Sequence, residues 1–287
     1  MSYQSVFRPG LFAGQTHLVT GGGSGIGRCT AHELAALGAH VVVMGRTIEK
    51  LDAVVAEITT DGGSASRIAL DIRDEDAIKA AVAQVLAERG RIHGLVNNAG
   101  GQFPAPLHAL SKNGWNAVVN NNLTGGFLLM REVFNQHMAD HGGAIVNMVA
   151  DMFNGMPQMA HSGAARAGML NLTQTAAVEW ASYGVRVNAI APGFIASSGM
   201  DRYDPIFAQT VIPQMKRYVP AARMGEEAEI SAAIVFMLSP AAAYMTGQCM
   251  QIDGGSTLNT KLVDIVMHDR MPPFQGFHRA VKPKAVG

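Results

Sequence analysis

Short runs of Val, Ile, Leu and Ala recur along the chain and alternate with longer segments whose apolar residues return every three or four positions. The short runs are His17 to Thr20, His40 to Met44, Ser66 to Leu70, Gly94 to Asn97, Ala144 to Met148, Arg186 to Ile190 and Cys249 to Ile252. They are apolar on both faces, as expected of parallel strands covered by helices from two sides. The longer segments predict helices over Gly25 to Leu37, Thr47 to Asp61, Asp74 to Arg89, Ser111 to Met138, His161 to Ser182 and Glu226 to Leu238. Such alternation predicts an α/β fold, a doubly wound parallel sheet with right-handed crossovers. No repeat, linker or low-complexity stretch divides it, so residues 1–287 read as one domain with a core from about 12 to 256. Two stretches break the pattern. Residues 196–225 carry Pro205, Pro213 and Pro220 and follow a strand end, where such sheets bind ligands; they read as a substrate lid inserted in the domain. Residues 257–287 form a C-terminal tail.

Composition narrows the function classes. A hydrophobic fraction of 48% over 287 residues is ample for a core. The 22 basic and 22 acidic residues cancel without a single-sign block, which argues against a nucleic-acid partner. Cys29 and Cys249 stand far apart and lack Cys/His ligand spacing, so neither a disulfide framework nor a metal is expected and a reducing compartment fits. With no leader-like start and no apolar stretch long enough to span a bilayer, the expectation is a cytoplasmic soluble protein without a membrane partner.

The first strand runs straight into Thr20-Gly21-Gly22-Gly23-Ser24-Gly25-Ile26-Gly27 and then a helix. Glycines allow a sharp turn and close backbone approach, and the free N–H groups of a helix start favour an anion, so Gly21, Ser24, Gly25, Ile26 and Gly27 are candidates to cradle a dinucleotide pyrophosphate. At the end of strand two, Gly45 stands where an NAD enzyme would carry an acidic residue for the adenosine ribose, and Arg46 follows. A guanidinium there pairs with a 2′-phosphate, so the cofactor expected is NADP(H).

With Asp71 closing strand three, Asn97-Asn98-Ala99-Gly100 closing strand four, Pro192-Gly193 and Asp253-Gly254-Gly255, the chain resembles the short-chain dehydrogenase/reductase family over about residues 12–256. The resemblance implies a Rossmann-type sheet, Asp71 and Ile72 at the adenine, Asn98, Ala99 and Gly100 beside the adenosine ribose, and Pro192, Gly193 and Ile195 at the nicotinamide carboxamide. It also suggests a homotetramer. On the residues alone, Asp71 reads equally as a helix N-cap and Asn98 as a turn residue. The family's catalytic Asn falls on Asn122, but its Ser falls on Val149 and its Tyr-x-x-x-Lys on Ser162 and Arg166.

That substitution bears on the reaction. Reduction of a carbonyl makes a strongly basic alkoxide that needs an acid such as the family's Tyr, and neither a serine hydroxyl nor a guanidinium supplies one. Reduction of a double bond conjugated to a thioester makes an enolate, which needs hydrogen-bond donors at oxygen, and Ser162 backed by Arg166 suits that demand. Gly100 to Phe103, His161 to Gly168 and Val178 to Trp180 resemble the trans-2-enoyl-CoA and 2,4-dienoyl-CoA reductases of the family. In the dienoyl enzymes a Tyr eleven positions before the Ser gives the proton; here that position is Asp151, a candidate acid if an apolar setting raises its pKa. The expectation is an NADPH-dependent reductase of 2-enoyl-CoA thioesters, with Arg166 positioning the nicotinamide ribose, Ser162 polarising the thioester carbonyl, Asn122 supporting the site and an acyl-CoA as small-molecule partner. An NADP-dependent dehydrogenase of isoprenoid alcohols and a silent NADP-binding subunit are the rivals. Met200, Tyr203, Ile206, Phe207, Val211 and Met215 are expected to cover an acyl chain, and Arg202, Lys216, Arg217 and Arg223 to meet CoA phosphates. The tail does not end in a peroxisomal address.

Overall fold

A computed structural model describes residues 2–258, 264–284 and 286, without the side chain of Arg202. Among these residues nine strands follow in chain order: β1 Thr16–Thr20, β2 His40–Gly45, β3 Ser64–Ala69, β4 Gly94–Asn97, β5 Gly143–Met148, β6 Val185–Pro192, β7 Ile195–Ala196, β8 Gly225–Glu226 and β9 Cys249–Ile252. Seven make one parallel sheet in the order β3-β2-β1-β4-β5-β6-β9, and β7 pairs with β8 apart from it. The helices are α1 Gly25–Ala36, α2 Ile48–Thr60, α3 Glu75–Arg89, α4 Lys112–Val119, α5 Gly125–Val133, α6 Ala139–His141, α7 Ala160–Glu179, α8 Pro205–Thr210 and α9 Glu227–Leu238.

The two-sided burial follows from strand periodicity, which sends successive side chains to opposite faces. Leu18, Val42 and Ile145 join a core with Val82 of α3, Leu129 of α5 and Met169 of α7. Their neighbours Val19, Val43 and Val146 join the other core, with Leu34 of α1, Val54 of α2 and Ile234 of α9. The doubly wound sheet expected from the sequence is therefore present. The strand order reverses between β1, which leads to β2, and β4, so a crevice opens there at the carboxyl ends.

Two expectations are corrected. The third strand starts at Ser64 and is not apolar on both faces; it is the sheet's edge, and its exposed and half-buried positions alternate. The helix expected over Ser111 to Met138 is broken by π-helical turns at Asn120–Thr124 and Phe134–Met138. Three successive asparagines, whose amides compete for backbone groups, occupy the first. Gly125 follows because Ile72 packs against it; a Cβ there would come within 2.7 Å of the Ile72 carbonyl.

Candidate active site

The cradle at the crevice begins with Thr20. Its hydroxyl donates to the Val96 carbonyl and accepts the N–H groups of Asn98, at 2.9 Å, and Ala99, at 2.8 Å. Asn98 Nδ2 donates back to the Thr20 carbonyl at 2.9 Å, so the ends of β1 and β4 are one fixed unit. Gly21 and Gly25 have φ of +64° and +58°, which side chains rarely adopt, and a Cβ at Gly27 would collide with the Gly21 carbonyl and Asn98 Nδ2. Ser24 precedes α1 with no side-chain hydrogen bond to the helix start. The amides of Gly25, Ile26 and Gly27 therefore have no partner within the helix and face an opening bordered at Gly25 by Ser197, Ser198 and Glu227. A dinucleotide pyrophosphate fits this arrangement: the glycines leave room and the helix start provides donors.

Beyond the cradle, Arg46 at the end of β2 is exposed. Its charge, with the hydrogen-bonded Arg73 acting more strongly, lowers the Asp71 pKa to about 2. Asp71 accepts from Arg73 Nε at 2.9 Å and Nη2 at 2.5 Å. It is not the cap of α3: Asp74 takes that place and accepts from the Ala77 N–H at 3.0 Å. The sequence reading did not single out Arg73, whose only signal was a second cation two residues beyond Asp71.

On the other side of the crevice, α7 carries Ser162 and Arg166 one turn apart. Ser162 is fully buried, and its hydroxyl donates to Gln102 Oε1 at 2.6 Å. Gln102 Nε2 donates in turn to the Tyr203 hydroxyl in the lid, at 3.2 Å. Arg166 Nη1 donates to the Met148 carbonyl at the end of β5, at 2.6 Å. Burial lowers the Arg166 pKa to about 10, so the side chain stays a cation at neutral pH, and no carboxylate pairs with it among the described residues. Asn122, in the first π-helical turn, has both amide ends on one residue: Nδ2 donates to the Gly101 carbonyl at 3.0 Å and Oδ1 accepts the Gly101 N–H at 2.8 Å. Gly100 lies between these groups, since a Cβ there would meet Arg166 Nη2 and Asn122 Oδ1. The structure thus gathers Ser162, Arg166, Asn122 and Gly100 into one place.

Asp151 lies just past the end of β5. Its N–H donates to the Pro192 carbonyl at 3.2 Å, and its carboxylate accepts from Ser256 Oγ at 2.7 Å. Burial, with nearby Asp253, raises its pKa. Among the described residues no hydrogen bond joins Asp151 to Ser162. Gly193 donates to the Ile252 carbonyl at 3.0 Å, where a Cβ would strike Asp253, and Ile195 starts the short β7 and β8 pair that roots the lid. Within the lid Met200 is buried and Tyr203 is half-buried against Phe207, with ring centroids 4.8 Å apart. Ile206 in the short α8 and Val211 just after it are exposed. Arg223 is not free for a phosphate: it grips Glu229 through two hydrogen bonds of 2.8 and 2.6 Å. Lys216 and Arg217 are exposed, and the Arg202 side chain lies outside the described residues. Gln102 is the functional candidate the sequence reading did not single out by role; a polar side chain directly after the Gly100-Gly101 turn was its only signal.

Comparison with known proteins agrees with this geometry. The family profile described as "Enoyl-(Acyl carrier protein) reductase" matches residues 21–257. A probable 2,4-dienoyl-CoA reductase of Bacillus subtilis is 39% identical over 247 residues, 84% of this chain and 96% of that protein. A 3-oxoacyl-[acyl-carrier-protein] reductase of Synechocystis is 40% identical over 248 residues, 85% of this chain and 97% of that protein. Among solved structures, the citronellol catabolism dehydrogenase AtuB of Pseudomonas aeruginosa superposes with a TM-score of 0.81 at 58% identity, covering 89% of this chain and all of that one. The dinucleotide cradle at the strand reversal and these matches agree: the chain belongs to the short-chain dehydrogenase/reductase family and is an oxidoreductase that uses a nicotinamide cofactor.

Proposed function

We propose that the protein reduces the 2,3 double bond of 2-enoyl-CoA thioesters with NADPH. One observation carries the reading: the Ser162 hydroxyl is buried and given at 2.6 Å to a carbonyl oxygen, that of the Gln102 amide. A thioester oxygen taking that place would receive the same donor, with the Arg166 cation one helical turn behind it. Each such donor contributes roughly 3 kcal/mol to stabilising a developing oxyanion. A reduced dinucleotide, with its pyrophosphate along Gly21 to Gly27, its adenosine ribose beside Asn98 to Gly100 and its nicotinamide at Pro192, Gly193 and Ile195, would supply the hydride that adds at Cβ. Asn122 supports the Gly101 backbone, and Pro192, Gly193 and Ile195 shape the far wall. Arg46 and Arg73 favour NADPH because a 2′-phosphate would sit between two guanidinium groups, with Asp71 already held by one of them. Asp151 enters as a carboxyl whose raised pKa lets it hold a proton longer than an ordinary aspartate.

Two free cysteines suit a cytoplasmic setting, and the family resemblance supports a homotetramer, which size-exclusion chromatography with light scattering tests. No helix among the described residues is long and apolar enough to cross a membrane. A second reading, oxidation of an isoprenoid alcohol, is favoured by the 58% identity to the citronellol catabolism dehydrogenase. One assay separates the two: nicotinamide absorbance followed with medium-chain and branched trans-2-enoyl-CoA, and in the reverse direction with citronellol and geraniol, each with NADP(H) and NAD(H). Turnover of enoyl-CoA with preference for NADPH is expected. Alcohol oxidation without any enoyl-CoA turnover would replace the first reading by the second.

A further inference from the structure

Hydride addition to a 2-enoyl-CoA leaves an enolate whose Cα still lacks a proton, and the identity of its donor is a question that rests on that proposed function. The Gln102 side chain points to the donor. Its amide is a planar O=C–N unit held at both ends, with Oε1 on Ser162 at 2.6 Å and Nε2 on the Tyr203 hydroxyl at 3.2 Å. A thioester presents the same planar shape as O=C–Cα. With its oxygen in the place of Oε1, its Cα falls near the place of Nε2, and a thioester plane turned about that oxygen presents the π face of Cα, where an enolate carbon is protonated, to the Tyr203 hydroxyl.

We infer that Tyr203 is a catalytic residue, the acid that protonates Cα, and that the Gln102 amide occupies the thioester's seat until substrate displaces it. The other groups near the seat are engaged elsewhere or held away by packing. The Ser162 proton serves the oxygen, and Arg166 is turned to the Met148 carbonyl. The Asp151 carboxylate accepts from Ser256. His161 Nδ1 accepts the Ser162 N–H and its Nε2 has no hydrogen-bond partner, but the ring is fully buried against Phe103, centroids 4.6 Å apart. Tyr203 Oη only accepts in its contact with Gln102, so its own proton is available. Its ring leans on Phe207, which holds the phenol in place without using the hydroxyl. Once hydride has added at Cβ, the former π electrons lie on the enolate. The enolate carbon then takes the Tyr203 proton, so that a Cα–H bond forms as the O–H bond breaks. The phenolate recovers a proton from water, and the net change is one C=C bond reduced and one NADPH oxidised.

The test uses Tyr203→Phe, which keeps the ring and removes only the acid. With a medium-chain trans-2-enoyl-CoA, kcat should fall about 100-fold, the lower range for loss of a general acid. KM should change less than threefold, and calorimetric binding of the saturated acyl-CoA to the cofactor-free protein should be unchanged. Gln102→Ala should bind that saturated acyl-CoA more tightly, since nothing then competes for Ser162. A Tyr203→Phe enzyme with kcat within twofold of wild type overturns the assignment. If the wild type turns over no enoyl-CoA at all, the proposed function falls and this assignment with it.

Discussion

Ser162 has a single hydroxyl proton, and in the resting protein Gln102 Oε1 holds it. That makes the side chain a donor to a carbonyl and removes it from any role as an acid, which a serine could not fill in any case. Its hydroxyl makes no other hydrogen bond among the described residues, so truncation should leave the fold intact. Ser162→Ala is therefore expected to lower kcat/KM for enoyl-CoA by roughly 10²–10³ while NADPH affinity, measured by fluorescence titration, stays as in wild type. A loss of cofactor binding of the same size would place Ser162 in the cradle and refute the oxyanion role. Asn122 differs from Ser162 in kind. Both ends of its amide are on the Gly101 backbone, so it fixes the turn that carries Gln102 and keeps one Nδ2 hydrogen uncommitted.

At the scale of elements, α9 starts where α1 starts. Glu227 in the first turn of α9 comes within 3.8 Å of a Cβ built on Gly25, and the α1 amides point into the same opening. Burial pushes the Glu227 pKa up to about 7, against the pull of Arg28 and the Ser198 backbone, and Glu226 adds to the rise. Because the folded protein holds this proton above the unfolded value of 4.5, folding stability from this group falls as pH rises from about 4.5 through about 7. Cofactor binding follows the same sign: a pyrophosphate beside Gly25 opposes the ionised carboxylate, so NADPH affinity should weaken as pH climbs through 7. Glu227→Gln should flatten that dependence between pH 6 and 8.5 and bind NADPH more tightly than wild type at pH 8. Identical pH slopes for the two proteins would remove Glu227 from the cofactor's surroundings.

Glu227 also marks how far the sequence could be read. Strand and helix periodicity placed β4 and β9 to the residue, and the Gly-rich turn announced the cradle, because these features depend on neighbours in sequence. Glu227 beside Gly25, Gln102 between Ser162 and Tyr203, and Arg223 on Glu229 depend on segments 6 to 202 residues apart, and no local pattern encodes such meetings. The break at Asn120 to Thr124 was hidden for a different reason: apolar spacing continues through it, and the π-helical turn arises from the side-chain amides.

Across the whole molecule, the residues after the sheet do not hang free. The backbone of Gly276 accepts the Gln4 N–H at 2.8 Å, which joins the two ends of the chain over α1. Phe277 is 1% exposed and packs on Tyr3, His32 and the Arg28 guanidinium, with its ring centroid 5.0 Å from the Arg28 Cζ. Next to it, His278 and Arg279 bind Asp61 at the end of α2, and Arg279 chiefly lowers the Asp61 pKa to about 2. The same tail also touches the lid, where Arg223 donates to the Met271 carbonyl at 2.7 Å, His268 Nε2 lies 3.0 Å from the Pro220 carbonyl and Asp201 accepts the Lys284 N–H at 3.0 Å. It is thus a strap from the outer helices to the substrate side, anchored at one aromatic side chain. Phe277→Ala should cost about 3 kcal/mol, as for other buried phenylalanines, and lower Tm by roughly 5 °C, read by circular dichroism. Because the loosened strap also holds Asp201 and Arg223, KM for the acyl substrate should rise several-fold with kcat little changed. A Tm equal to that of wild type would show that the tail is not part of the cooperative fold, and an unchanged KM with a lowered Tm would show that its hold on the lid does not shape substrate binding.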